Sequence, residues 1–249
     1  MNVRPTCRDT ARRAHEGCPG ALAPLMAAAS KSATTWEHAL PLCGYTLVTD
    51  AFTVDEAKAT RDATRTLVRS RGQKIFNPDR KRSQVDLSSV ELRREILVAC
   101  KPVLTAVQTA LTEHGCLVTQ SPVLLHSASG CHAQPWHRDY APEDTVGHCR
   151  TDDPKLTMAC VAAIDSETTL DVVPRSHLSS RYDRDPNDAA VQLEISCWSL
   201  VLFHGALVHR GSEYEEENAR VHMYGFGSGG VFAHNRTYVL VDEKGQRFV

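Results

Sequence analysis

Three absences narrow what this chain of 249 residues can do. No apolar run approaches the roughly 20 residues that a membrane-spanning helix needs, so no membrane partner is expected. The formal net charge is only -2, which gives no long-range basic field to draw in nucleic acid. Nine cysteines include no Cys-x-x-Cys pair and are odd in number, so neither a zinc ribbon nor a disulfide framework is supported. Scattered thiols without a secretory signal suggest a reducing interior, with the cytoplasm as the default localisation. Nothing speaks to oligomeric state.

Residues 1–35 are also poor in acid, with only Asp9 and Glu16. An Arg-rich, acid-poor start can be a transit peptide. Pro5, Pro19, Gly20 and Pro24 interrupt any amphipathic helix there, so 1–35 reads as a disordered tail. The remainder, 36–249, suits a single domain, and 42% hydrophobic with 23% charged residues is ordinary for a soluble globular chain.

Within that domain, Gly44 to Val48 is a short β-prone run, and Thr53-Val54-Asp55-Glu56 is a capping box. A helix is predicted over 54–70, ending near Gly72. Residues 73–87 look charged and irregular, a solvated loop or cover. A second capping box at 88–91 opens a helix carrying Leu92, Ile96, Leu97, Leu104, Val107 and Leu111, which Pro102 should kink or split. Helical support thus spans 53–114. After Gly115 the pattern becomes short apolar runs at 117–126, 156–164, 170–173, 191–195, 198–203, 206–209, 219–226 and 237–241, separated by Gly, Pro, Asn and Asp. The predicted fold is α+β, mainly β: a double-stranded β-helix (jelly roll, cupin-like) over 117–241, with N-terminal supporting helices.

Chemistry concentrates in His137-Arg138-Asp139, His209 and Arg220. With 12 His in the chain, chance alone supplies roughly one His-x-Asp match, so the context must carry the weight. His137 and Asp139 follow a β-run, where alternation puts both on one face and turns Arg138 away. His209 shares a face with Leu207 and can look inward. Arg220, beyond the acidic connector Glu213 to Asn218, is expected on the adjacent antiparallel strand. Two imidazoles and one carboxylate on one face of a metal, with other positions open, suit non-haem Fe(II). A buried guanidinium suits the carboxylate of a cosubstrate.

These segments resemble the Fe(II)/2-oxoglutarate-dependent dioxygenases, and most closely their phytanoyl-CoA dioxygenase-like branch. Gly44-Tyr45 leading to Phe52 resembles the family's opening, and Gln134 to Asp139 its ligand-bearing strand end. Leu170-Asp171-Val172-Val173-Pro174-Arg175-Ser176-His177 resembles its Leu-x-Val-Val-Pro-Gly-Ser-His segment, and Leu200 to His209 with Arg220 its distal histidine and 2-oxoglutarate arginine. The likeness covers roughly 44 to 227, in the expected order. It implies Fe(II) on His137, Asp139 and His209, 2-oxoglutarate on Arg220, O2 as oxidant, and hydroxylation of a small-molecule C–H bond with release of succinate and CO2. Retention of Asp139 disfavours halogenation.

Arg175 departs from the family's glycine, so the turn is expected to differ and a positive charge to lie near the site. His204, at a Gly turn, reads as structural rather than as the ligand. Trp136 and Tyr140 read as packing, His177 as a turn tie, and Glu215 to Glu217 as a solvated hairpin tip. His222 shares a face with Arg220, as a cosubstrate or substrate contact or as a satisfied core histidine. The alternatives to turnover are an inactive cupin-like metal-binding or sensor domain and a structural jelly roll.

Overall fold

The computed structural model describes residues 36–74, 81–88, 94–166, 168–182, 184–229 and 237–241. The predicted tail, the 89–91 part of the second capping box and the middle of the 73–87 segment lie outside them. In chain order the strands are β1 (Tyr45–Val48), β2 (Gln73–Lys74), β3 (Arg82–Asp86), β4 (Val118–Thr119), β5 (Val123–Ser127), β6 (His137–Arg138), β7 (Thr157–Ala163), β8 (Thr168–Val172), β9 (Val191–Ile195), β10 (Leu200–His204), β11 (His209–Gly211), β12 (Asn218–Phe226) and β13 (Tyr238–Val239). They form two antiparallel sheets, β1-β10-β7-β12-β5-β3-β2 with β4 beside β12, and β13-β6-β11-β8-β9. This is a jelly roll, mainly β, with helices on one side.

Side-chain alternation along β12 separates the two faces of the larger sheet. Ala219, Val221 and Met223 join an outer core, while Tyr224 and Phe226 join an inner one between the sheets. The outer core is closed by α1 (Trp36–Cys43), α2 (Val54–Arg71) and α3 (Arg94–Glu113). Helix α2 begins as the capping box predicts: Glu56 N donates to Thr53 Oγ1 at 3.2 Å, and Thr53 N donates to Glu56 Oε2 at 2.7 Å. Pro102 does not split α3, which runs 20 residues through it. By length and composition alone α3 could cross a membrane, in contrast to the expectation from the sequence. Its buried residues, among them Cys100, Val103, Val107 and Leu111, belong to the same outer core as strand residues Leu124, Leu202 and Val221.

Three expectations need correction. Residues 82–86 are not a solvated loop: they form β3, paired with β5, and Arg82 is 2% exposed. The alternation of this segment is masked by its charges. Strands β11 and β12 are not neighbours in one sheet; β11 pairs with β6 and β8, β12 with β4, β5 and β7. The connector therefore crosses between sheets, and Arg220 faces the metal-type residues across the interior. The strand expected over 206–209 begins only at His209.

Candidate metal centre

Register builds the first half of the site. His209 of β11 lies directly opposite His137 of β6, and their ring centroids are 4.4 Å apart. Each ring is set by the same device: Nδ1 of His137 meets the Pro135 carbonyl at 2.7 Å, and Nδ1 of His209 meets the Leu207 carbonyl at 2.9 Å. A carbonyl can only accept, so each Nδ1 carries the proton and each Nε2 presents its lone pair. Both Nε2 atoms face Asp139, at 3.8 Å from Oδ1 for His137 and 3.6 Å from Oδ2 for His209. One ligand atom from each of the three residues lies within 4.8 Å of the other two, and all three residues are buried.

Burial sets the protonation states. It lowers His209 to about 4 and, with help from neighbouring His209, lowers His137 to about 4. It raises Asp139 to about 6, against the opposing effects of His137 and a hydrogen bond from Tyr224. At neutral pH the site is two neutral imidazoles and one carboxylate, the ligand forms. Asp139 Oδ2 is fully buried with no hydrogen-bond partner, a costly state that a divalent cation relieves. The donor set fits non-haem Fe(II).

Neighbouring segments hold these residues in place. Ser176 Oγ donates to the Val173 carbonyl and accepts from Val208 N at 2.8 Å, which fixes the chain entering β11. Arg138, between the two metal-type residues, points away from them and donates to the carbonyls of Ser176, Ser179 and Ser180. Arg175 adopts φ 69, so the turn keeps the left-handed conformation that glycine favours. Its side chain is exposed, and its charge helps to lower His177. The expected change in the turn is thus corrected.

The rival His204 lies outside the metal-type group. Its Nδ1 accepts from Ala206 N at 3.1 Å and its Nε2 donates to the His148 carbonyl at 3.2 Å. His177 ties the turn to Pro41 through Nε2 at 3.2 Å. Trp136 is fully buried, donates to Asn187 and lies under the Arg210 guanidinium. Tyr140 packs edge-on against Tyr224 and Phe226. Glu217, from the acidic connector, pairs with His126 at 2.9 Å.

Arg220 is 5% exposed and donates to Ser127 Oγ at 3.1 Å and Asn218 Oδ1 at 3.4 Å. Among the described residues no carboxylate pairs with it, so the geometry fits a cosubstrate carboxylate there. His222, next inward on the same face, is buried and pushed down to about 3 by burial and then by neighbouring His209, Arg220 and His137. It stacks edge-on with Tyr224 at 4.4 Å and makes no side-chain hydrogen bond among the described residues.

Sequence reasoning passed over Arg82, Ser127 and Tyr224. The only available signal was period-two alternation in 123–127 and 218–226, which points Ser127 and Tyr224 inward. Arg82 lay hidden in a charged run.

A jelly roll with two histidines and one carboxylate inside, and an unpaired arginine beside them, defines the non-haem iron, 2-oxoglutarate-dependent dioxygenases. The sequence profile of the phytanoyl-CoA dioxygenase (PhyH) family matches residues 42–220, and the chain belongs to that family. No curated protein sequence matches it. Among solved structures it is similar to the non-haem alpha-ketoglutarate-dependent carbocyclase SnoK from nogalamycin biosynthesis, at 15% identity and TM-score 0.59, over 81% of this chain and 88% of that one. It is also similar to AviO1 from Streptomyces viridochromogenes Tue57, at 15% identity and TM-score 0.61, covering 82% and 99%. A third is a prolyl hydroxylase from Trichoplax adhaerens, at 9% identity and TM-score 0.57, covering 77% and 87%. At these identities the likeness is one of fold.

Proposed function

We propose that this dioxygenase is a hydroxylase of a small polar molecule. His137, Asp139 and His209 would hold Fe(II), and Arg220 would take the distal carboxylate of 2-oxoglutarate. The bound metal and cosubstrate supply O2 activation with loss of CO2 and formation of succinate. The chain's own residues do the rest. The Pro135 and Leu207 carbonyls hold the imidazole tautomers, Tyr224 orients Asp139, and burial keeps water from the centre.

The observation that carries the assignment is the buried Asp139 Oδ2, left without a protein partner while facing His209 Nε2 at 3.6 Å.

The choice of a polar substrate rests on the sheet edge two strands beyond His222. His222 is opposite Val123, and Val123 is opposite Asp86. Two strand spacings of about 4.8 Å each therefore separate His222 from Asp86. Asp86 lines a cavity of about 240 Å³ together with Gln73, Gln84, Val85, Ser121 and Val123. Four of these side chains offer hydrogen bonds or charge; a long acyl chain would desolvate them without compensation.

The test is succinate release from 2-oxoglutarate under Fe(II) and air, with pooled polar metabolites and with acyl thioesters. Stimulation by the polar pool, lost in Asp139→Ala, supports the assignment. Stimulation by acyl thioesters alone would overturn the substrate class. No succinate in any pool would favour a domain that binds the cosubstrate without turnover.

A further inference from the structure

One carboxylate stands alone in the cavity at the sheet edge. Of the residues that line it, only Asp86 carries charge, and no lysine or arginine joins them. Ser88 holds that carboxylate in one orientation: its backbone N and its Oγ both donate to Asp86 Oδ1, each at 2.7 Å. The second oxygen, Oδ2, accepts no hydrogen bond among the described residues.

The neighbouring polar groups are unspent as well. Gln73 lies directly opposite Gln84 on the β2–β3 pair, and neither amide side chain makes a hydrogen bond among the described residues; nor does the Ser121 hydroxyl. One fixed negative charge and three neutral polar side chains thus line a volume of about 240 Å³, which suits a small ligand or one end of a larger one. Such a lining attracts a cation and repels an anion. An ammonium has three donors and no acceptor, so it can reach the free carboxylate oxygen and the amide oxygens together.

Register relates this cavity to the metal-type residues. Asp86 is opposite Val123, Val123 is opposite His222, and His222 is a neighbour of His209 and His137. We propose that the substrate is an organic cation, an amine carried as ammonium, and that Asp86 is the specificity-determining residue that binds it, with Gln73 and Gln84 completing the contacts. This rests on the polar-substrate reading given above. The nitrogen would then be held about 10 Å, two strand spacings, from the His222 position, and the C–H bond attacked would lie several atoms along the molecule from it.

The test is ligand-observed NMR on the full chain loaded with Mn(II) and 2-oxoglutarate, where broadened 2-oxoglutarate lines report that the centre is filled. The probes are aminopentanol and pentanediol, each substituted at both chain ends, and the hexanoyl thioester of N-acetylcysteamine. Wild-type protein is expected to bind aminopentanol about tenfold more tightly than pentanediol, the scale of one hydrogen bond to a charged group. Its hydroxyl end, nearer Mn(II), should broaden more than its nitrogen end. Asp86→Asn keeps the shape at an exposed position and removes the charge. It should bring aminopentanol to the level of pentanediol and leave pentanediol unchanged, while Asp86→Glu should keep a preference for the amine. If wild type binds both polar probes equally, if Asp86→Asn keeps the preference, or if aminopentanol broadens evenly along its length, the role of Asp86 falls and the polar-substrate reading stands. If only the thioester binds, both fall. If no probe binds to the filled centre, the organic-cation proposal falls, and succinate release with the metabolite pools decides the polar reading by itself.

Discussion

His209 stands directly opposite His137, one on β11 and one on β6, and Asp139 lies within 3.8 Å of both Nε2 atoms. A shift of either strand by one residue would turn its histidine to the opposite face, so pairing register and the metal-type site are one feature. Asp139→Asn keeps the shape and removes the charge. Burial opposes the ionised carboxylate, so the metal-free variant should be as stable as wild type or slightly more so. The rise in melting temperature on adding Mn(II), which measures binding to the native state, should shrink to a small fraction. An undiminished Mn(II) shift would show that Asp139 is no ligand.

Arg175 holds φ 69, where a side chain costs about 1 kcal/mol relative to glycine. Arg175→Gly should raise the melting temperature by about 2 °C, part of the relief being offset by greater freedom in the unfolded chain. A fall in melting temperature would mean that the exposed guanidinium makes a stabilising contact.

Ser176→Ala removes the acceptor for Val208 N, a bond of 2.8 Å beside His209. Leaving that amide buried and unpaired should cost about 1–3 kcal/mol of unfolding free energy by denaturant titration. Mn(II) affinity should fall with it, because the chain entering β11 is no longer fixed. Lost stability with unchanged Mn(II) affinity would confine Ser176 to a structural role.

Acid stability follows from two histidines away from the centre. Burial lowers His177 to about 4 and His204 to about 3, while in the unfolded chain both titrate near 6.5. Below 6.5 the unfolded state therefore binds more protons than the native one, and stability falls as pH falls, levelling only below the folded values. Replacing His204 with Gln should flatten this acid limb in melting curves taken between pH 7 and 4. A limb of unchanged slope would show that other groups carry it.

Much of the architecture was legible because the β-runs after Gly115 alternate clearly and α2 announces itself with a capping box. The strand at 191–195 matches its predicted bounds. What failed is instructive. Arg82 to Asp86 alternates, but Arg82, Gln84 and Asp86 share one face and only Val85 on the other is hydrophobic. A strand with one hydrophobic residue in five looks like a loop when hydrophobicity is the only guide. The sheet partners of β11 and β12 were invisible for another reason: a six-residue connector can close a hairpin or cross between sheets, and only long-range pairing decides. His137, Asp139, His209 and Arg220 could be listed from their spacing and family likeness, whereas Ser127 and Arg82 emerge only when three distant strands are brought side by side.

The grip of Arg138 on the carbonyls of Ser176, Ser179 and Ser180 spans 38 to 42 residues of chain. The segment that carries His137 and Asp139 is thereby tied to the 176–180 turn, whose Ser176 also fixes Val208 at the entrance to β11. Loosening that one turn would slacken both halves of the metal-type group without touching any of its ligand atoms.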